Sequence, residues 1–168
     1  MSESDSVDIA RLGLSSGEGT QLDVRLRLEP LQYGGQRYEA RPAQLLANLD
    51  VSRMVAGYSF RLRYDVVLDG TCVRCLEQAT LPVGVDAREV DHPGGGEELR
   101  SPYLEGSELD AGAWARDALA LALPQQILCR PDCRGLCALC GANLNEDPEH
   151  AHEPEPDLRW AKLDEWRG

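Results

Sequence analysis

Six cysteines and two of the three histidines, placed at short intervals, constrain the fold of this 168-residue chain more than any other feature of its sequence. These eight residues are Cys72, Cys75, Cys129, Cys133, Cys137, Cys140, His150 and His152. A Cys-x-x-Cys spacing lets one short turn deliver two thiolates to the same tetrahedral zinc ion. Two such pairs, a further close pair of cysteines and a His-x-His predict that one or two structural Zn²⁺ ions hold the chain together.

The start of the chain is polar and acidic, and it lacks the basic and then apolar pattern of a secretory signal. No segment approaches the roughly 18 consecutive apolar residues of a membrane-spanning helix. We therefore expect a cytoplasmic protein without membrane association. In such a reducing compartment, clustered cysteines bind metal more often than they form disulfides.

Two arrangements of the ligands are compatible with their spacing. The favoured one has two zinc sites, the first formed by Cys72, Cys75, Cys129 and Cys133 and the second by Cys137, Cys140, His150 and His152. It uses all eight candidate ligands and avoids placing four ligands of one ion on three very short loops. The two histidines reach one ion only where the local backbone permits, and the alternative for them is a solvated position in an acidic loop.

The competing arrangement is a single site of four cysteines, namely Cys129, Cys133, Cys137 and Cys140. Cys72 and Cys75 would then form a free dithiol, able to take part in thiol redox chemistry. A thioredoxin-like Cys-x-x-Cys opens a helix in a βαβ unit, however, whereas this pair lies at a turn between two predicted strands.

Alternating apolar and polar residues predict an antiparallel β-sheet that is covered on one face. The alternation is found at 21–28, 45–51, 60–68 and 79–87, and Gly34-Gly35 marks a turn. Pro82 lies in the last of these segments. Its missing N–H indicates an edge strand or a bulge at that position.

One helix is predicted after these strands. Asp110 is a candidate N-cap for a helix over 111–123, which Pro124 ends. The residues expected to face the sheet are Trp114, Ala118, Leu121 and Ala122.

These elements predict an α+β fold, an antiparallel β-sheet with one packing helix and a C-terminal zinc-binding extension. The chain would divide into a flexible N-terminal arm at 1–20, a sheet domain at 21–128 and a metal-binding extension at 129–168 that packs on the same domain. A short closing helix from about Asp157 would place Trp160 and Leu163 on one side.

The charge of the chain limits the partners that it can bind. Its 29 acidic and 17 basic residues give a formal net charge of −12, which opposes indiscriminate nucleic-acid binding. The first site would nevertheless bring Arg74, Arg130 and Arg134 around one metal, where they would contact a few RNA phosphates or offset thiolate charge. The overall acidity equally suits a basic protein partner.

Catalytic chemistry has little support in the sequence. Both proposed sites are filled by four protein ligands, whereas catalytic zinc keeps one position open. The sequence has no glycine-rich phosphate loop and no Gly-x-Ser-x-Gly nucleophile motif. We therefore expect no catalytic residues, no small-molecule substrate and no enzymatic activity.

Several motifs resemble the YceD family, which is found in bacteria and plastids. The matching segments are Cys72-Val-Arg-Cys75-Leu76, Leu121-Ala-Leu-Pro124, Leu128-Cys129-Arg-Pro-Asp-Cys133-Arg-Gly-Leu-Cys137-Ala-Leu-Cys140-Gly-Ala-Asn-Leu-Asn145 and Pro156-Asp157-Leu158-Arg159-Trp-Ala-Lys-Leu163. The similarity extends over about 22–163, and 137–145 is its most specific part. Many members carry Cys-x-Cys where this chain has His150-Ala-His152, and imidazole is a conservative replacement for thiolate as a zinc ligand.

The resemblance implies a role in ribosome biogenesis. The family is linked to the accumulation of 23S ribosomal RNA and has no established catalytic activity. The expected partner is therefore the large-subunit ribosomal RNA, a pre-50S particle or a ribosomal protein. The alternatives are an acidic, chaperone-like partner of a basic ribosomal protein and a thiol redox protein that uses Cys72 and Cys75.

Overall fold

Residues 5–152 are described by the structure, a computed structural model, and most of their regular elements are strands. The elements are β1 (Ser6–Asp8), β2 (Gly19–Arg27), β3 (Leu31–Tyr33), β4 (Gln36–Arg41), β5 (Gln44–Met54), β6 (Gly57–Thr71), β7 (Gln78–Asp91), β8 (Leu104–Glu105), β9 (Glu108–Asp110) and α1 (Ala111–Ala122). Short 3-10 helices follow β1 and β7, at Ile9–Leu12 and Glu97–Leu99. In this part of the chain, no helix has the length and apolar character needed to cross a membrane. The predicted closing helix lies outside the described residues.

Strand β6 organises the main sheet because it is long enough to pair with three other strands. Its whole length pairs with β7 on one side. On the other side its first half pairs with β5 and its second half with β4, and β2 and β3 extend these two branches. A second sheet has the strand order β1-β9-β8. All of these pairings are antiparallel, which confirms the prediction of an α+β fold with an antiparallel sheet and one helix.

The buried face of the sheet follows the predicted alternation. In β6, Phe60 is 1% exposed and Leu62 is fully buried, while Arg61 between them is partly exposed. Helix α1 packs against this face. The rings of Trp114 and Phe60 meet edge-on at 6.4 Å between centroids, and the Tyr64 hydroxyl donates to the Ala115 carbonyl at 2.6 Å. Removal of these apolar surfaces from water is the main force that holds the helix on the sheet.

Helix α1 begins where the sequence predicts, but its buried stripe is different. The Asp110 side chain caps the helix by accepting the Ala113 N–H at 2.8 Å. The buried residues are Ala111, Trp114, Ala115, Ala118 and Leu119. The expectation that Leu121 and Ala122 face the sheet is wrong. Leu121 lies roughly 90° from the centre of the buried stripe, and Ala122 belongs to a last turn in which residues 120–122 are all exposed.

Residues 6–12 differ from the flexible arm expected at 1–20. Strand β1 pairs with β9, and Ile9 in the following 3-10 helix is 2% exposed. The Ile9 N–H donates to the Ser107 carbonyl at 2.9 Å, and the Asp8 side chain caps the 3-10 helix by accepting the Ala10 N–H. One buried apolar side chain and a three-residue strand order this segment, and neither produces a periodic pattern in the sequence.

Two predicted turn and edge features agree with the structure. Within the described residues β7 pairs only with β6, so it is an edge strand, and Pro82 lies opposite Val67. Gly34 and Gly35 join β3 to β4 with φ values of +56° and +77°. Positive φ at both positions is what a tight type I′ hairpin turn requires.

The end of β6 that leads to the cysteines is fixed by Tyr38 of β4. The Tyr38 ring is fully buried against Gly70, where a Cβ atom would lie 2.2 Å from the ring. Its hydroxyl donates to the Thr71 carbonyl at 2.8 Å. Cys72 follows directly, so it leaves the sheet at a fixed position.

Leu62 and Leu121 offer a matched test of this core. Leu62→Ala removes a fully buried side chain, and we expect the free energy of unfolding to fall by about 2–5 kcal/mol. Leu121→Ala makes the same chemical change at a position that is 88% exposed, and it should change that free energy by less than about 0.5 kcal/mol. Urea denaturation followed by circular dichroism measures both. Equal effects of the two substitutions would contradict the assigned inner face.

Candidate metal centre

Four thiol groups converge where the main sheet ends, and they belong to Cys72, Cys75, Cys129 and Cys133. We call them the four-cysteine cluster. All four sulfur atoms lie within 4.8 Å of one another, with 3.8 Å between Cys72 Sγ and Cys133 Sγ and 3.5 Å between Cys75 Sγ and Cys129 Sγ. Sulfur atoms bound to one tetrahedral zinc ion are roughly 3.8 Å apart. The spacing therefore fits a single tetrahedral metal ion.

The cluster joins two distant parts of the chain. Cys72 and Cys75 lie in the turn between β6 and β7, and the other two cysteines follow helix α1. The Val73 N–H donates to the Ile127 carbonyl at 3.1 Å, and Ile127 is itself 1% exposed. This buried contact brings the second pair of cysteines against the first.

Both Cys-x-x-Cys turns have the same backbone hydrogen bonds. The residue after the second cysteine donates its N–H to the carbonyl of the first cysteine, at 3.0 Å for Leu76 and 2.9 Å for Gly141. The first cysteine donates its N–H to the carbonyl five residues further on, at 2.7 Å for Cys72 and 2.8 Å for Cys137. This turn also directs N–H groups at sulfur, as shown by the Arg74 N–H, 3.5 Å from Cys72 Sγ.

The other four predicted ligands form a second group, the mixed cluster, which consists of Cys137, Cys140, His150 and His152. Cys137 Sγ lies 3.2 Å from His152 Nε2, and Cys140 Sγ lies 3.1 Å from His150 Nε2. The two Nε2 atoms are 3.0 Å apart, so the histidines present their rings to one point. Three ligands of the four-cysteine cluster are buried, whereas Cys140 and His152 of the mixed cluster are exposed.

One thiol in each cluster favours the thiolate form. Burial raises the pKa of Cys72, but the backbone N–H groups of the turn outweigh this effect and lower its pKa to about 6. Backbone N–H groups of Cys140 and Leu139 lower the pKa of Cys137 to about 6. Because the thiolate is the form that binds metal, each cluster contains one sulfur that is already in the ligand form at neutral pH.

The donor sets of both clusters fit a structural metal ion. The structure brings the eight predicted ligands together in the two groups of the favoured arrangement. Cys129 and Cys133 lie with Cys72 and Cys75, whereas the competing arrangement would place them with Cys137 and Cys140. Four thiolates, or two thiolates with two imidazoles, are donor sets of closed tetrahedral sites. Both clusters could therefore hold metal ions.

Two asparagines outside the predicted ligand set support the clusters. Asn145 donates through Nδ2 to Cys133 Sγ at 3.5 Å and accepts the Arg134 N–H through Oδ1 at 2.8 Å. Asn143 donates through Nδ2 to a carboxylate oxygen of Glu77 at 2.8 Å. The sequence feature that points to them is an Asn-x-Asn pair between the ligands Cys140 and His150. Residues that hydrogen-bond to metal ligands are regular parts of metal sites, so polar residues at such positions are candidates for this role.

The three arginines predicted to contact RNA are close to the ligands in sequence, and two of them have internal partners. Arg74 donates to the carbonyl of a cluster cysteine at 3.1 Å, and Arg134 donates to the Pro148 carbonyl at 3.0 Å. Arg130 pairs with the exposed carboxylate of Asp132 at 3.5 Å. Arg74 and Arg134 therefore fix loops around the clusters, whereas the Arg130 pair lies on the surface.

Comparison with known proteins relates this chain to a described family. The profile of "Large ribosomal RNA subunit accumulation protein YceD" matches residues 60–165, a stretch that contains all ligands of both clusters. Uncharacterized proteins of Mycobacterium tuberculosis and Mycobacterium bovis are each 33% identical over 170 residues, which cover 97% of this chain and 81% of the relative. A Zea mays protein named "Large ribosomal RNA subunit accumulation protein YCED homolog 1, chloroplastic" is 29% identical over 181 residues, which cover 82% of this chain and 59% of the relative. No solved structure matches the chain.

Leu76 tests the turn geometry because its backbone conformation is one that favours glycine. Its φ is +63°, close to the +74° of Gly141 at the matching position of the second turn. Leu76→Gly removes the steric cost of a left-handed residue that carries a side chain. We expect the free energy of unfolding to rise by about 1 kcal/mol, measured by urea denaturation in the presence of zinc.

Leu139→Gly is the matched control. Leu139 is also an exposed leucine of a Cys-x-x-Cys turn, but its φ is not positive. Here the added flexibility of the unfolded chain should lower the free energy of unfolding by about 0.5–1 kcal/mol. A loss of stability in Leu76→Gly that equals the loss in Leu139→Gly would contradict the left-handed turn.

Proposed function

The chain belongs to the YceD family, and on this basis we propose that it is a non-catalytic ribosome-biogenesis factor that supports 23S rRNA accumulation and assembly of the large ribosomal subunit. The observation that carries this proposal is the family match over residues 60–165, which covers both metal-ligand clusters. The maize relative is named for the accumulation of the same ribosomal RNA subunit. The proposed place of action is the cytoplasm, where bacterial large subunits are assembled.

Structural Zn²⁺ in both clusters is the second part of the proposal. Thiolate and imidazole donors favour zinc over hard cations such as Mg²⁺ and Ca²⁺, which prefer oxygen ligands. Each ion would have four protein ligands and so no open position for substrate or water. When bound, the metal supplies a crosslink between loops. The loops around the clusters would then keep one conformation, so that their surface residues are already in position to bind a partner.

A few directed contacts to large-subunit rRNA or a pre-50S particle are compatible with the acidic chain. Arg130 is the best candidate for such a contact because its partner, Asp132, is 84% exposed. An exposed ion pair contributes only about 0–1 kcal/mol. Exchange of the Asp132 carboxylate for an RNA phosphate would therefore cost little. Arg74 and Arg134 would contribute mainly by holding the loops on either side.

A groove of about 820 Å³ beside the start of helix α1 favours a second candidate function. Its carboxylates are those of Asp5, Glu29, Glu105, Glu108 and Asp110, and its basic residues are Arg27 and Arg116. This excess of negative charge, together with the net charge of the chain, would attract a basic polypeptide. The second candidate is therefore an acidic, chaperone-like partner of a basic ribosomal protein.

A thiol redox role for Cys72 and Cys75 has no comparable support. Redox-active cysteines are partly exposed, whereas Cys72 is fully buried and Cys75 is 4% exposed. Both lie beside the sulfur atoms of two further cysteines. This environment is typical of a metal site.

Cys75→Ser tests the structural role of zinc. We expect elemental analysis to find two zinc ions per wild-type chain. The variant should lose the ion of the four-cysteine cluster and several kcal/mol of unfolding free energy, which is the scale of metal-coupled folding. Cys140→Ser, which removes a ligand of the exposed mixed cluster, should cost less stability. An unchanged melting temperature and zinc content in Cys75→Ser would refute a zinc site at the four-cysteine cluster.

Sedimentation of cell lysates tests the role in ribosome biogenesis. The protein should migrate with pre-50S particles at low salt and dissociate at higher salt, because salt weakens phosphate contacts. Arg130→Ala should reduce this association. Arg11→Ala is the matched control, since Arg11 is also an exposed arginine paired with an aspartate, at 3.1 Å from Asp8. A strain that lacks the protein should accumulate less 23S rRNA.

The outcomes of this experiment separate the two candidates. No association at either salt concentration, with normal 23S rRNA in the deletion strain, would refute the biogenesis role. Recovery of a basic ribosomal protein without RNA would support the second candidate instead. That binding should be lost when groove carboxylates are changed to amides.

A further inference from the structure

The two clusters are built on shared loops, and this arrangement links their metal sites. We infer that the four-cysteine cluster must be loaded before the mixed cluster binds its metal tightly, so that the two sites fill in a fixed order, with Asn145 as the residue that couples them. The inference rests on the metal binding proposed above.

The first link is made by the backbone. The Leu136 N–H donates to the Arg74 carbonyl at 3.2 Å, and Arg74 lies inside the first Cys-x-x-Cys turn. Gly135 has a φ of +80° and approaches so closely that a Cβ atom would lie 3.1 Å from the Arg74 carbonyl oxygen. Cys137, the first ligand of the mixed cluster, directly follows Leu136. The position of the second turn therefore depends on the conformation of the first, which a bound metal would fix.

The second link is made by Asn145, a positioning residue that is not itself a ligand. It donates to Cys133 Sγ, and it accepts the Arg134 N–H. A metal-bound thiolate accepts hydrogen bonds more strongly than a neutral thiol does. Metal in the four-cysteine cluster would therefore strengthen the bond from Asn145 and order the loop that leads to His150.

The order of filling follows from what supports each cluster. The four-cysteine cluster is anchored by the sheet and by the buried Ile127, and three of its ligands are buried. Two ligands of the mixed cluster are exposed, and the loops that carry its ligands contact the first cluster. Leu144, for instance, donates its N–H to the Gly135 carbonyl at 2.9 Å. The ligands of the four-cysteine cluster are therefore held in place without metal in the mixed cluster. The ligands of the mixed cluster, in contrast, depend on the four-cysteine cluster for their positions.

Coupling of this kind is reciprocal. Metal in the mixed cluster must tighten the retention of metal in the four-cysteine cluster by the same factor. The fixed order comes from the different intrinsic affinities of the two sites, and the coupling adds to the affinity of whichever site fills second. Cys140→Ser should therefore leave the first binding step unchanged.

Titration of the metal-free, full-length chain with Co²⁺ tests the inference, because all-sulfur and mixed sulfur–nitrogen sites have different visible spectra. In the wild type the all-sulfur spectrum should develop first and the mixed spectrum second. Cys75→Ser keeps all four ligands of the mixed cluster. We nevertheless expect the Co²⁺ affinity of that cluster to fall by at least about tenfold, within the usual coupling range of roughly 5–150-fold.

Asn145→Asp removes none of the eight ligands, so it remains informative if Cys75→Ser does not fold. It preserves the oxygen that accepts the Arg134 N–H and removes the Nδ2 donor, which bonds to Cys133 Sγ at 3.5 Å and to Asn143 Oδ1 at 3.0 Å. We expect the all-sulfur spectrum to persist and the mixed cluster to lose about fivefold or more in affinity. Asn48→Asp is the matched control, since it adds the same charge on β5, where Asn48 accepts from Arg63 at 2.7 Å.

Each outcome of the titration has one meaning. If neither spectrum appears, the proposed metal binding fails, and the fixed order fails with it. If both spectra appear but the mixed one develops first, metal binding stands and the fixed order is refuted. If Cys75→Ser and Asn145→Asp both retain wild-type affinity at the mixed cluster, metal binding stands and the coupling between the two sites is refuted. If Asn145→Asp alone retains it, the backbone contacts carry the coupling and the role of Asn145 is refuted.

Discussion

The convergence of four sulfur atoms is the constraint on which the second half of the structure depends. The main sheet and helix α1 bury an apolar core, but the described residues that follow the helix have little regular structure of their own. Their one β pairing is an isolated bridge between Leu136 and Asn143. Ligands in the β6–β7 turn and on the segment after the helix would hold that segment in place of backbone pairing. Metal coordination can supply folding free energy of the size that such a segment requires.

The net charge of the chain with zinc bound would differ from the formal net charge calculated from the sequence. The formal value of −12 treats every cysteine as neutral. A Zn²⁺ ion with four thiolates adds a charge of −2, and one with two thiolates and two neutral imidazoles adds none. The loaded chain would therefore carry about −14, and only local features such as Arg130 favour an anionic partner. The acidic groove beside α1 and the surface at Arg130 suit partners of opposite charge, which is compatible with binding to an assembly of RNA and basic proteins.

The sheet could be predicted from the sequence because its inner face is made almost entirely of alternating apolar residues, of which Phe60, Leu62 and Leu68 are examples. Strands β1, β8 and β9 could not be predicted, since a strand of two or three residues has no measurable period. The prediction for Leu121 is wrong because its spacing from Trp114 fits a helix face, while the buried face is centred between Trp114 and Ala115. Only packing against the sheet decides between the two.

The ligands of the candidate site could also be predicted from the sequence, because cysteine and histidine at close spacing have few other uses in one polar segment. Their grouping could not be decided by spacing, since both arrangements satisfied it. The deciding contacts are long-range ones, such as the bond from Val73 to Ile127. The role of Asn145 cannot be predicted for a similar reason. Asparagine is common in loops, and only the folded chain shows its hydrogen bond to Cys133 Sγ.

The proline in strand β7 has a consequence for how copies of this protein behave towards one another. A 14-residue strand at the edge of a sheet presents a long row of backbone groups to which a second chain could add. Pro82 is the fifth residue of that row and has no N–H, so a hydrogen-bonded ladder is interrupted at this position. A second copy that adds to this edge would therefore meet a break in the row of donors at residue 82, which disfavours pairing between copies along the full length of β7.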